Sequence, residues 1–201
     1  MPKIVDHEER RARIVQAMVD VIIRDDFSGV TTREIAAAAG YAHGAVARYF
    51  ASKQSLLVAA FAHLFTEGNY RVADAARELR GLAALELICR RSLPFGEEGR
   101  KNARVVTAFW SYADLDPQLR ELQRSNYARW RELYRRVLDE AREDGELDDS
   151  VDIETAVNEI TSRSTGWQMH ALLLPEETTD AEVEAGLQAL LRSLRKRASG
   201  A

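Results

Sequence analysis

The side chains that could do covalent or metal chemistry in this chain are few and scattered. His7, His43, His63 and His170 stand at no metal-ligand spacing, and Cys89 is the single cysteine. One thiol excludes an intramolecular disulfide and a cysteine-cluster metal site. No glycine-rich phosphate loop and no activated-nucleophile motif is visible, so nothing points to an enzyme, a cofactor or a metal. The informative stretch is Thr31 to Lys53, TTREIAAAAGYAHGAVARYFASK. Its residue types suit recognition rather than catalysis.

Thr31 is placed to cap a helix, and Glu34 three residues later completes a capping box that satisfies two orphan backbone donors. Ile35, Ala36 and Ala39 give that helix an apolar face. Gly40 stands where the chain must turn out through a left-handed conformation, which glycine adopts without steric cost. A second helix is expected from about Ala42 to Phe50, with Val46 and Phe50 on one face. Helix, glycine-containing turn, helix is the helix-turn-helix arrangement, whose second helix can enter a DNA major groove.

The rest of the chain must position this pair. At 201 residues and 22.6 kDa, with 46% apolar and 30% charged residues, it can bury a substantial core. Only four prolines occur, at positions 2, 94, 117 and 175, and none interrupts a convincing helical pattern. The fold class is therefore all-α: an amino-terminal three-helix helix-turn-helix domain over residues 1–55 and a helical domain over 56–201, about nine helices in all. No long apolar run and no basic-then-apolar amino terminus is present, so a cytoplasmic protein without a membrane partner is expected. Net charge is −4, but residues 1–55 hold eight bases against seven acids, leaving the excess of acid downstream. Any phosphate binding would depend on where a few charges and amides point.

Residues 1–9 are polar and expected to fray. Ile14, Ala17, Met18, Val21 and Ile22 mark helix 1 from Arg10 to about Arg24, broken by Asp25–Gly29. Ser52 caps helix 4, which runs from Lys53 to about Leu79. Helix 5 ends before Pro94, helix 6 carries Val105, Val106, Phe109, Trp110 and Ala113, and Asp116-Pro117 opens helix 7, which stops at Gly145. Helix 8 spans 153–174. Thr179 and Glu182 form a second capping box at the start of helix 9.

The run Ile35-Ala36-x-x-x-Gly40, Gly44, then Tyr49-Phe50-x-Ser52-Lys53-x-x-Leu56-Leu57 resembles the DNA-binding domain of TetR-family transcriptional regulators, over roughly residues 10–57. More diffusely, Phe109-Trp110, Asp116-Pro117, Tyr127-Ala-Arg-Trp130 and the two closing helices resemble the BetI-type subgroup. The resemblance implies that His43, Ala45, Val46, Ala47 and Arg48 present the reading face. Arg48 is the side chain able to bond a guanine edge in two places. It implies that Tyr49 and Lys53 bond phosphates, as would Thr31 or Thr32 at the helix 2 amino terminus. Three positions depart from the family pattern. Ala42 stands where a capping Ser or Thr is usual, a change that costs about 1 kcal/mol; Ala47 replaces a Tyr, and Phe27 a Gly.

For a small-molecule effector of unknown identity, the candidates are Cys89, Phe109, Trp110, Trp130, Tyr134, Trp167 and His170. Aromatics at helical spacing are either core or pocket; an aromatic cage for a quaternary ammonium is one arrangement they allow. Helices 8 and 9 are expected to form a homodimer seam from Ser164, Trp167, Leu187, Leu190, Leu191 and Leu194, building a four-helix bundle across a two-fold axis. The leading function is a repressor that binds a palindromic double-stranded DNA operator as a dimer and is released by its effector. The alternative is a helical dimer that binds a protein partner or ligand, its operator binding weakened or lost.

Overall fold

A computed structural model describes residues 2–24 and 31–196, and for residues 2–6 and His43 the backbone alone. The helices are α1 (Pro2–Arg24), α2 (Thr32–Ala38), α3 (His43–Val46), α4 (Lys53–Ala75), α5 (Gly81–Ser92), α6 (Gly96–Ala113), α7 (Pro117–Glu143), α8 (Ile153–Leu173) and α9 (Asp180–Leu194). The described residues contain no strand beyond one isolated antiparallel bridge, Leu147 to Arg195. The break expected over residues 25–29 lies outside the described residues. The chain divides into two compact units, Met1–Gly68 and Asn69–Ala201, so the division falls inside α4 rather than at residue 55.

In the first unit, α1 starts at Pro2 rather than Arg10. Proline at a first helical position loses no hydrogen bond and has its φ preset, and Glu9 and Arg13 pair one turn apart at 2.6 Å. The α1 stripe of Ile14, Met18, Val21 and Ile22 is buried together with Ile35 and Ala36 of α2, Val46 of α3, and Phe50, Leu56, Leu57 and Phe61. Gly40 has φ 76°, as the turn requires. Ser52 caps α4 through a reciprocal pair: its hydroxyl accepts from Ser55 N–H at 3.1 Å, and its own N–H donates to Ser55 Oγ at 3.2 Å.

The second unit is built around one core. Val72 and Ala76, Leu85 and Ile88 of α5, Tyr134, Val137 and Leu138 of α7, Val157 and Ile160 of α8, and Leu187 and Leu191 of α9 close into it. α5 packs on α7 and α9, while α6 packs on α7 and α8. Asp116 caps α7 by accepting from Gln118 and Leu119 N–H, and the Thr179–Glu182 box caps α9 as expected. Arg90 ties α5 to α9, bonding Glu86 at 2.8 Å and Glu184 at 2.7 Å. Asn69 reaches α7 through a 2.8 Å bond to Asn126.

Gly81 opens α5 with φ 57°, and the Glu146 carboxylate accepts from Leu82 N–H at 2.8 Å beside it. A Cβ at Gly81 would stand 3.2 Å from the Ala141 backbone as well as against Glu146. Gly81→Ala is therefore expected to destabilise by about 1–2 kcal/mol, the cost of a left-handed alanine, before any clash is added. Denaturant titration of the variant measures this; an unchanged midpoint would refute it.

Candidate nucleic-acid interface and ligand cavity

The capping box at α2 forms as the spacing demands. Thr31 N–H donates to Glu34 Oε2 at 2.7 Å, Thr31 Oγ1 bonds the same oxygen at 2.9 Å, and Glu34 N–H donates back to Thr31 Oγ1 at 3.3 Å. These bonds, the backbone one foremost, hold the Glu34 carboxyl below its ordinary range, and the Lys53 charge adds to the effect. Thr31's N–H and hydroxyl are thus committed to a carboxylate rather than presented to a phosphate. Thr32, half-buried, takes the first helical position.

After Gly40 the chain runs extended at Ala42, which offers no side-chain cap, and α3 is only four residues long. The expected helix to Phe50 therefore closes early. Past Val46 the backbone tightens into successive turns, with Arg48 N–H donating to Ala45 O at 3.1 Å and Tyr49 N–H to Val46 O at 3.0 Å. An uncapped start and a glycine at position 44 both disfavour a longer helix. The turns still leave Ala47 and Arg48 exposed, Ala45, Tyr49 and Lys53 half-buried, and Val46 and Phe50 turned inward. The His43 side chain lies outside the described residues.

Two neighbours of this segment escaped the sequence reading. The His7 ring lies 4.6 Å from the Tyr49 ring, and the Arg11 guanidinium sits 5.0 Å above the Phe50 ring. His7 was passed over because residues 1–9 were read as frayed, and Arg11, inside the expected helix 1, carried no local sign of its partner.

In the second unit, the ligand candidates separate. Cys89 and Trp167 line a cavity of about 10 Å³ with Leu93, Ile160, Ser164 and Leu187, and Arg163 and Gly186 stand at its wall. That volume holds about one water. The Trp167 indole lies against Gly186, and its ring is 6.0 Å from that of the exposed His170. Trp130 is 5.8 Å from Tyr134, which is itself buried. Burial raises the Tyr134 phenol well above its ordinary value and pushes the Cys89 thiol up to about 12. Phe109, fully buried, and Trp110, half-buried, belong to α6 and are not brought to this cavity.

The expected seam needs correcting. Leu187, Leu190, Leu191 and Leu194 retain 5% exposure or less and belong to the unit's own core, so they have almost no surface left to offer a second copy. Ser164 and Trp167 are half-buried beside the same cavity.

A helix-turn-helix with an exposed arginine after its second helix, followed by a separate all-helical unit, defines a helix-turn-helix transcriptional regulator. Residues 14–60 match the family model of the bacterial regulatory proteins of the tetR family, and residues 81–196 that of the BetI-type transcriptional repressor carboxy-terminal domain. The chain belongs to the TetR family, with a carboxy-terminal domain of BetI type.

Relatives agree. The chain is 34% identical over 114 residues to the HTH-type transcriptional regulator PksA of Bacillus subtilis, 56% of each protein. It is 30% identical over 134 residues to the regulator BetI of Paraburkholderia phymatum, 64% of this chain and 67% of that one. The match thus spans little more than half the length of PksA. A putative transcriptional regulator from Saccharomonospora viridis, solved in complex with choline, superposes with TM-score 0.86 at 19% identity, covering 94% of this chain and 100% of its own. These are regulators rather than enzymes. Among the described residues no helix is long and apolar enough to cross a membrane.

Proposed function

We propose that the chain represses transcription by binding a palindromic operator as a homodimer, and that a small-molecule effector releases it. The observation that carries this reading is the exposed Arg48 two residues after α3, followed by Tyr49 and Lys53, at a turn where Val46 and Phe50 are buried. Arg48 reads a guanine edge, and Tyr49 and Lys53 hold phosphates. The dimer uses the outward faces of α8 and α9, where Ser162, Thr165, Ala185 and Ala189 are exposed. The effector acts in the second unit, and a coupling of about 1–3 kcal/mol lowers DNA affinity roughly 5- to 150-fold.

The test is binding of the purified protein to DNA from its own upstream region, titrated against salt. Wild-type binding should be tight, sequence-specific and weakened by salt. Arg48→Ala should cost about 1–3 kcal/mol and relax base preference, whereas Lys53→Ala should weaken binding evenly across sequences. A folded protein with no preference over random DNA would sink the repressor reading and favour a helical dimer that binds a protein partner.

A further inference from the structure

We propose that the phosphate-holding edge of the helix-turn-helix continues onto α1, with Arg11 as a direct backbone contact and His7 as a positioning residue for Tyr49. This rests on the reading above that the first unit binds DNA. Arg11 and His7 lie one helical turn apart, so both address one side of α1. Their partners, Phe50 and Tyr49, are adjacent in sequence. The first turns of α1 therefore run along the segment that carries the phosphate-binding tyrosine.

Each contact has a specific consequence. Phe50 is buried, and the Arg11 guanidinium stands 5.0 Å from its ring centroid while the residue itself is exposed. A guanidinium over an aromatic ring uses its π-face and keeps its in-plane N–H donors, the fork that matches phosphate oxygens. Holding the group in place beforehand reduces the entropy lost on binding. His7 meets Tyr49 with the rings tilted at 46°, which limits the orientations open to the phenol. The other charges of this stretch are differently placed, with Arg13 paired to Glu9 at 2.6 Å.

The test uses the full-length protein, a duplex from its own upstream region and a random-sequence duplex of equal length, each titrated over a range of salt. Arg11→Met keeps a stem over Phe50 without the charge, and Arg11→Lys keeps the charge. Arg11→Met should lower the slope of log affinity against log salt by about 0.9 per protomer on both duplexes, and Arg11→Lys should restore most of it. His7→Ala should weaken binding by no more than Tyr49→Phe does, His7→Phe should restore it, and His7→Ala should add nothing in a Tyr49→Phe background. A wild-type slope in Arg11→Met, or additive His7 and Tyr49 effects, would overturn the proposal while leaving the operator reading intact. A wild-type protein that binds neither duplex would remove both.

Discussion

Truncating Phe109 to alanine should destabilise the protein by about 3–5 kcal/mol, the range for removing a buried phenylalanine and leaving a cavity. Phe109 has no measurable exposure, and its helix is packed against both α7 and α8. On the same helix the buried Thr107 hydroxyl is satisfied, donating to Ala103 O at 2.8 Å. Each kcal/mol corresponds to about 2–4 °C at this chain length, so thermal unfolding of the second unit should move down by roughly 6–20 °C. A loss below about 1 kcal/mol would instead mean that the ring borders open space and belongs to a ligand site after all.

Alkaline pH should destabilise the second unit through Cys89. Burial raises its thiol from 9.0 to about 12, so the folded state keeps a proton that the unfolded state has released between those values. Over that window the unfolded chain binds fewer protons, and stability falls as pH rises, by up to about 1.4 kcal/mol per pH unit. The contribution is complete below about pH 9 and is lost by about pH 12, amounting to about 4 kcal/mol. Tyr134 acts with the same sign, since its phenol is raised by burial, but only once the pH exceeds the ordinary tyrosine range. Chemical denaturation from pH 8 to 10 isolates the thiol. Cys89→Ala should flatten the pH dependence whatever it does to stability at neutral pH, and an unchanged slope would rule the thiol out.

Local signals were the legible part of this chain. Thr31 with Glu34, Thr179 with Glu182 and Asp116 before Pro117 fix helix starts through bonds spanning two or three residues, and all three form. Gly40 likewise turns the chain with the positive φ its position called for. What misled was the meaning of an apolar stripe. Leu187, Leu190, Leu191 and Leu194 recur at helical spacing whether a second copy or the chain's own core covers them, and periodicity is identical in the two cases. The core won because α9 is the element that closes over α5 and α8. Phe109 posed the same ambiguity between core and pocket. The ends of α1 and α3 failed for another reason: α1 already starts at Pro2, within a polar stretch that shows no apolar periodicity, and Ala42 leaves α3 without a side-chain cap and short. Arg11 and His7 were hidden in turn, because their partners Phe50 and Tyr49 are far away in sequence and only folding brings them together.

The small cavity beside Trp167 also has a kinetic meaning. On the proposed reading, an organic effector seated here needs more room than a space for about one water, and moving the indole off Gly186 would supply it. If that open form is a minor population, the observed dissociation constant exceeds the intrinsic one by the reciprocal of its fraction. Association would then level off at the opening rate as ligand concentration rises. Substitutions that shrink Trp167 would speed arrival by the same factor with which they raise the open population, with no new contact made to the ligand.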